Sequence, residues 1–212
     1  MPGMRTPAGV LRDILRKLLR SMYVLGLNGS PRKGGNTQLL LGKALEGARD
    51  AGAGTEEVGL NGLGFSACQE CDYLKDDGSC IIDDAFQPLY KKVEKADALI
   101  MASPVFFGSL SAQSKTMIDR FQCAWRAKNV LKKDPFVKKK QGIFISVQAS
   151  DRRQFFENSR SIVRNFFSVV NTDYAGELFC AGVEGKGDIL RKREFLQKAY
   201  ELGQKIAKTE VI

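Results

Sequence analysis

Short apolar runs alternate with longer stretches of helical periodicity along most of this chain. Consecutive apolar residues are typical of buried strands, whereas apolar residues about three or four positions apart indicate helices. The predicted strands cover residues 22–28, 55–60, 97–103, 141–147 and 174–183. The predicted helices cover residues 37–51, 83–95, 111–127, 152–171 and 188–208. Five strands that alternate with helices predict an α/β fold with a doubly wound parallel sheet.

The loops that follow the strands are the expected place for a site. In doubly wound sheets, ligands bind at the carboxyl ends of the strands, where the strand order reverses. The loops that we expect to meet there follow strands one, three and four, at residues 28–37, 103–111 and 147–153. Two further loops are long: a glycine- and cysteine-containing segment at 61–82 and a basic segment at 128–140.

Residues 8–21 precede the first strand and carry apolar side chains at helical spacing, with basic side chains between them. This pattern predicts an amphipathic helix, so we divide the chain into an N-terminal helical extension at 1–21 and one domain at 22–212. The extension suits docking on a neighbouring subunit, which we favour, or on a membrane surface. Upstream read-through is a third interpretation, because Met22 could start a complete domain.

The composition limits the chemistry that the chain can perform. Its 212 residues are 43% hydrophobic, which is sufficient for one large core. No apolar run reaches the roughly 18 residues of a membrane span. No secretory signal is recognisable, and five cysteines without one suit free thiols in a reducing cytoplasm. Because the chain has no histidine, its chemistry must come from a cofactor or from cysteine, carboxylate, cationic or hydroxyl side chains.

The net charge of +9 is concentrated in residues 1–21 and 121–140. We interpret both segments as solvated faces. No nucleic-acid partner is expected, because no binding motif accompanies the charge and no aromatic residues are interleaved with it as stacking platforms.

The most informative segment is the glycine-rich loop at 26–37, between the first strand and the first helix. Glycines let a backbone approach a ligand, and the free N–H groups at a helix start attract anions. Ser30, Arg32, Asn36 and Thr37 add hydroxyl, cationic and amide donors. The segment therefore predicts a phosphate site. Its spacing fits neither a P-loop nor the dinucleotide fingerprint.

A second loop makes the chain recognisable. Residues 103–112 read Ser-Pro-Val-Phe-Phe-Gly-Ser-Leu-Ser-Ala, and Ile-Asp-Arg follows at 118–120. Together with residues 29–37 and with Ala-Asp-Ala at 96–98, this loop closely resembles the flavodoxin-fold NADPH-dependent FMN reductases. Within that family the chain looks similar to the iron–sulfur flavoprotein branch.

The resemblance is strong over residues 22–125 and weaker beyond, and it implies a flavodoxin-like fold, bound FMN and a homodimer or tetramer. It implies that the phosphate is held by Ser30, Arg32, Gly35, Asn36 and Thr37. It implies that the isoalloxazine ring and ribityl chain contact Pro104, Val105, Phe106, Phe107, Gly108 and Ser109. Family members often have a glycine-rich turn after strand four, where this chain has Gln148, which could bond the pyrimidine edge of the ring. No catalytic side chain is expected, because the flavin carries the redox chemistry.

The cysteines depart from the iron–sulfur branch, whose motif has four closely spaced thiols. Cys68, Cys71 and Cys80 match three positions, and Leu74 occupies the remaining one. A [4Fe–4S] cluster normally takes four thiolates, so we expect neither a standard cluster nor another metal. A relic motif is the favoured interpretation; a Cys68–Cys71 redox disulfide and a zinc site completed from outside remain open. Two further cysteines are expected to be buried packing residues: Cys123 and Cys180.

These observations predict an FMN-binding oxidoreductase. It would pass electrons from NAD(P)H through the flavin to a quinone, a free flavin, a metal ion or a protein. The alternatives are an electron-transfer flavoprotein that receives electrons from a protein, and a flavin-based sensor or assembly factor that uses its cysteines.

Overall fold

The computed structural model describes residues 21–208, and a parallel sheet forms their centre. The strands are β1 (Tyr23–Asn28), β2 (Gly54–Gly59), β3 (Ala98–Phe106), β4 (Ser109–Leu110), β5 (Lys140–Val147) and β6 (Thr172–Cys180). Five of them lie in the order β2-β1-β3-β5-β6, and each neighbouring pair is parallel. The short β4 pairs antiparallel with the end of β3. The predicted doubly wound sheet is confirmed, in the strand order of flavodoxin-like folds.

Helices cover both faces of the sheet. They are α1 (Asn36–Asp50), α2 (Phe86–Lys95), α3 (Ala112–Arg120), α4 (Gln122–Asn129), α5 (Arg153–Val169) and α6 (Arg193–Lys208). Successive residues of a strand point to opposite faces. Val24 and Ile100 therefore pack with α1 and α6, whereas Leu25 and Met101 pack with α2, α3, α4 and α5. Within residues 21–208, no helix is long and apolar enough to cross a membrane.

Two glycines let α1 and α6 touch backbone to backbone. A Cβ atom on Gly203 would lie 1.8 Å from the Ala44 carbonyl oxygen, and one on Gly47 would lie 2.0 Å from the Tyr200 carbonyl oxygen. No side chain can occupy such a gap. The last helix is thereby fixed against the helix that follows the glycine-rich loop.

Apart from shifts of up to three residues at element ends, the structure differs from the predicted elements in three places. The helix predicted at 111–127 is two helices, because the chain turns at Phe121, which belongs to neither. The third strand runs on to Phe106 and turns into β4 through Phe107 and Gly108, both with positive φ. The segment predicted as one helix at 188–208 starts with a 3₁₀ turn, Asp188–Arg191, before α6 begins. Residues 1–20 of the predicted extension lie outside the described part of the chain.

Candidate functional site

A cavity of about 250 Å³ lies at the carboxyl ends of β1, β3 and β5, where the sequence placed the site. We call it the carboxyl-edge cavity. Nine of the predicted cofactor residues line it: Ser30, Arg32, Gly35, Asn36, Thr37, Pro104, Val105, Phe106 and Gln148. The other three predicted residues, Phe107, Gly108 and Ser109, form the turn beyond its rim.

The glycine-rich loop is shaped by hydrogen bonds between its own residues. The Asn28 side-chain oxygen accepts the Ser30 N–H at 3.0 Å, and the Ser30 hydroxyl accepts the Arg32 N–H at 3.2 Å. The loop ends at Gly35, which is the N-cap of α1 and supplies no side-chain cap. The first N–H groups of α1 are therefore not capped by that residue and stay available to an anion.

Gly29 sits where the first loop contacts α3. Its N–H donates to the Ala102 carbonyl oxygen at 2.8 Å, and its own carbonyl oxygen accepts the Ser111 hydroxyl at 2.7 Å. A Cβ at this position would lie 1.8 Å from the Ser114 hydroxyl oxygen. The two predicted ligand loops are thus locked together by a contact that only glycine permits.

Asn36 has a structural task in addition to lining the cavity. Its amide nitrogen donates to the Gly185 carbonyl oxygen at 2.8 Å, and its amide oxygen accepts the Gly187 N–H at 2.9 Å. The oxygen and one of the two N–H groups are therefore already bonded to the loop after β6. Asn36 positions this wall of the cavity and keeps a single side-chain N–H for a ligand.

Sequence reasoning missed the wall that follows β6. Val183, Glu184 and Lys186 line the carboxyl-edge cavity, and the Arg32 guanidinium donates to the Glu184 carbonyl oxygen at 3.3 Å. The signal was present, because residues 182–187 contain three glycines and a lysine directly after a strand, like the first loop. Lys186 adds a cation beside Arg32.

Gln148 leaves a hydrogen-bond acceptor unused at the edge of the cavity. Its side chain is 4% exposed, and its amide nitrogen donates to the Arg152 carbonyl oxygen at 3.0 Å. Its amide oxygen is buried, and no donor from residues 21–208 reaches it. A buried unpaired acceptor is costly, so a ligand N–H that reached this oxygen would be favoured.

The turn between β3 and β4 presents aromatic surface next to the cavity. Phe107 is fully exposed with φ of 50°, and Phe106 is partly exposed. The base of the turn is fixed by α5: Phe155 lies against Gly108, and the Asn158 amide donates to the Gly108 carbonyl oxygen at 3.2 Å.

The hydrogen-bonding groups and apolar residues that line the carboxyl-edge cavity match the chemistry of FMN. Backbone and cationic donors stand at one end, an apolar wall of Pro104, Val105 and Phe106 follows, and the Gln148 oxygen offers an acceptor for a ring N–H. FMN has an anionic end, an apolar ring and a polar ring edge that match these three regions.

A second cavity, of about 260 Å³, is lined by cysteines, and we call it the thiol cavity. Cys68, Cys71 and Cys80 reach it from the loop after β2, and Cys123 reaches it from α4. All the cysteines are free thiols. In the described range 21–208, no group of three or more potential ligands is arranged to hold a metal ion.

Cys123 and Cys180 are buried, as the sequence predicted. Burial raises the pKa of each thiol to about 12. The two differ in their surroundings, because Cys123 lines the thiol cavity and Cys180 packs in the core beneath α1 and α6.

Arg120 is a fully buried cation at the base of the thiol cavity. It pairs with Asp84 at 2.6 Å, donates to the Ser66 carbonyl oxygen at 3.0 Å and lies 3.3 Å from the Cys80 sulfur. Burial disfavours the charged form of Asp84, but hydrogen bonds from Arg120 and from backbone N–H groups outweigh it and lower the pKa of Asp84. The Arg120 Nε atom is buried, and none of the described residues supplies an acceptor for it.

Several basic side chains at 126–140 form hydrogen bonds or ion pairs with other residues of the protein. Arg126 donates to the Cys71 carbonyl oxygen at 2.8 Å, and Lys133 donates to the Asp76 carbonyl oxygen at 3.0 Å. Lys128 pairs with Asp134 at 3.1 Å. Arg126 and Lys133 thus fasten the cysteine loop to α4 and to the segment that follows it.

Comparison with known proteins identifies the family. The sequence profile described as NADPH-dependent FMN reductase matches residues 22–172. An iron–sulfur flavoprotein of Methanocaldococcus jannaschii is 33% identical over 88% of this chain and 96% of its own length. An iron–sulfur flavoprotein of Methanosarcina thermophila is 36% identical over 61% of this chain and 64% of its own length.

A solved flavone reductase shares the fold, with a TM-score of 0.67 at 22% identity. The match covers 88% of this chain and 62% of the flavone reductase. The chain belongs to the NADPH-dependent FMN reductase family, in the branch of the iron–sulfur flavoproteins.

Proposed function

We propose that this FMN-binding oxidoreductase takes electrons from NAD(P)H and delivers them to a quinone, a free flavin, a metal ion or a protein. The main support for placing FMN in the carboxyl-edge cavity is the buried oxygen of Gln148, which has no partner among the described residues. Gln148 lines the same cavity as the glycine-rich loop. One end of the cavity offers donors and the other offers an acceptor, as the two ends of FMN require.

The anionic end is assigned to the start of α1. The uncapped helix start at Gly35 offers backbone N–H groups, and Ser30 and Thr37 add hydroxyls. Arg32 and Lys186 supply positive charge, and the positive end of the α1 dipole lies at the same place. Among residues 21–208, the Arg32 guanidinium donates to the Glu184 carbonyl oxygen, and its remaining N–H groups are available to a phosphate.

The ring end is assigned to the loop after β3 and to Gln148. Pro104, Val105 and Phe106 form the apolar wall, and Gln148 would accept a hydrogen bond from the ring edge. Phe107 stands outside this wall and is free to cover a bound ring or a second substrate. When bound there, FMN would supply the redox chemistry of the reaction. The chain positions the cofactor and tunes it.

The assembly and location are proposed with the function. A homodimer or tetramer would cover the exposed aromatic turn at Phe106 and Phe107 beside the cavity. A cytoplasmic location agrees with cysteines that are all free thiols.

Two measurements test the proposal. Mass spectrometry of the released cofactor should find FMN, and FAD would contradict the site assignment. Anaerobic mixing with NADPH or NADH should remove the flavin absorbance within the turnover time of the enzyme. Bound FMN that neither nucleotide reduces would instead support the electron-transfer alternative, in which a protein is the donor.

A further inference from the structure

The hairpin between β3 and β4 has a two-residue loop. Phe106 pairs with Ser109 across the two strands, so Phe107 and Gly108 alone make the turn. Their φ angles are 50° and 77°, and a type I′ turn requires positive φ at both central residues. Such turns favour Asn-Gly, Asp-Gly or Gly-Gly, because other side chains strain the backbone there. Phenylalanine is therefore an unexpected residue at position 107.

The backbone conformation of Phe107 is unfavourable for the fold. In the part of the chain that the structure describes, four residues other than glycine have positive φ, at positions 70, 107, 132 and 171, and the other three are polar. A bulky residue in this conformation destabilises the folded state. Packing does not recover the loss, because the Phe107 side chain is fully exposed. An aromatic residue that strains the fold and stays in solvent indicates a task outside the core.

The turn that carries Phe107 is fixed by α5. The Asn158 amide donates to the Gly108 carbonyl oxygen at 3.2 Å. The Phe155 ring lies against Gly108, where an added Cβ would come within 2.9 Å of it. The Arg152 guanidinium lies over the Phe155 ring, 5.6 Å from its centroid. The exposed ring of Phe107 is thus held in one place by its supporting residues.

The same helix connects this turn to the carboxyl-edge cavity. Phe106, the neighbour of Phe107, lines the cavity and is 42% exposed. The Arg152 carbonyl oxygen, at the start of α5, accepts the Gln148 amide at 3.0 Å. Phe107 therefore stands at the rim, beyond the wall assigned to the flavin ring. A second substrate that reacts with the cofactor would approach at this rim.

An exposed aromatic face does not suit every acceptor. Aromatic rings attract one another in offset-stacked or edge-to-face arrangements, beyond the effect of the apolar area that they bury. A hydrated metal ion has no ring to place on such a face. A stable protein interface takes about 800 Å² from each partner, whereas one phenylalanine offers about 150–250 Å². A protein acceptor or a neighbouring subunit at this turn would therefore need other residues to carry its interface.

We propose that Phe107 is a specificity-determining residue that stacks on the second substrate and selects a planar aromatic acceptor, a quinone or a free flavin, over a metal ion or a protein. The inference rests on the proposed function, because it narrows the acceptors named there. It gives a reason for phenylalanine at a position where asparagine would suit the turn better.

Equilibrium dialysis of the oxidised, FMN-loaded full chain tests the proposal without turnover. Menadione is the quinone probe and riboflavin is the flavin probe, and the one that binds the wild type identifies the acceptor. Phe107→Asn should raise the dissociation constant of that probe about tenfold. Phe107→Tyr keeps an aromatic ring and should keep the affinity. The matched control is Tyr73→Asn, which removes an exposed aromatic side chain at the thiol cavity and should also keep it.

Urea unfolding of the apoproteins provides a second measurement, which should change in the opposite direction. Because asparagine suits a type I′ turn, Phe107→Asn should raise the midpoint of unfolding while it weakens binding of the probe. A residue with a merely structural role would lower the midpoint when it is replaced.

Several results would overturn the proposal. They are failure of both probes to bind the wild type, an unchanged dissociation constant in Phe107→Asn, and a lower unfolding midpoint of that variant. A changed sedimentation coefficient would assign Phe107 to a subunit contact instead, and a reduced FMN content would assign it to the cofactor. Reduction of the bound flavin by NADPH or NADH is measured on the same samples, so failure of the proposed function is distinguishable from failure of this assignment.

Discussion

Replacing Gln148 by methionine should weaken FMN binding without a matching loss of apoprotein stability. The Gln148 oxygen is buried and has no donor in the described part of the chain, so its desolvation cost is already present in the free protein. A bond from the flavin edge would recover this cost, which is about 1–3 kcal/mol for an unsatisfied buried group. The dissociation constant should therefore rise about 5- to 150-fold.

Gln148→Met should not lower the stability of the apoprotein as it lowers the affinity for FMN. The substitution removes the Gln148 amide bond to the Arg152 carbonyl oxygen, but it also removes the unpaired oxygen. The first change costs about 0.5–1.5 kcal/mol and the second recovers about 1–3 kcal/mol, so the free energy of unfolding should stay the same or increase. Most substitutions of buried residues lower it.

Fluorescence-quench titration of apoprotein with FMN and urea unfolding of the same apoprotein provide the two measurements. Gln113→Met is the matched control, because Gln113 lies on α3, donates to the Asn61 side-chain oxygen and does not line the carboxyl-edge cavity. An unchanged dissociation constant for Gln148→Met would show that the oxygen does not face the flavin. A large fall in the free energy of unfolding would show that the Gln148 oxygen is bonded within the protein instead.

Three other changes test separate parts of the structure. Arg32→Ala should weaken FMN binding about ten- to a hundredfold through loss of a charge-assisted bond of about 1.5–3 kcal/mol; in quench titrations riboflavin, which lacks the phosphate, should bind both proteins alike. Gly29→Ala should lower the free energy of unfolding by at least about 1–3 kcal/mol, because its Cβ would lie 1.8 Å from the Ser114 oxygen; Gly59→Ala, which meets nothing within 4 Å, is the control, and equal stabilities would refute the clash. Burial, with Lys138 nearby, lowers the pKa of Lys140 to about 8, so the folded protein binds this proton less tightly than the unfolded chain. The penalty for burying the charge is complete below pH 8 and is relieved as the pH rises towards the ordinary value of 10.5, so wild type should gain stability relative to Lys140→Met over that range in urea unfolding; a constant difference would contradict it.

The fold and most of the flavin site could be predicted because their signals are local. The glycine-rich loop and the Pro-Val-Phe-Phe-Gly turn each stand in one short segment beside a strand, and strand order then brings them together. The break at Phe121 was not predictable in the same way. Apolar periodicity continues across it, and the packing of Phe121 among Phe86, Phe136 and Phe166 involves residues that are distant in the sequence.

Features that depend on contacts between distant segments could not be predicted from the sequence. The contact of Cys123 with the cysteine loop arises because α4 packs over residues that are far away in the chain. The structural duty of Asn36 depends on the loop after β6, which is about 150 positions later. No periodicity or spacing connects such pairs.

The bonds between Asn36 and the loop after β6 have a consequence for biosynthesis. The glycine-rich loop is synthesised first, and the wall that contains Glu184 and Lys186 follows much later, since 152 positions separate Arg32 from Glu184. That wall is held in turn by α6, which must close on α1 through Gly203 and Gly47. A nascent chain that ends before residue 183 therefore lacks this wall at the phosphate end of its cavity. We expect FMN to be captured only after the wall has been added, so a product truncated before residue 183 should be purified as a colourless protein.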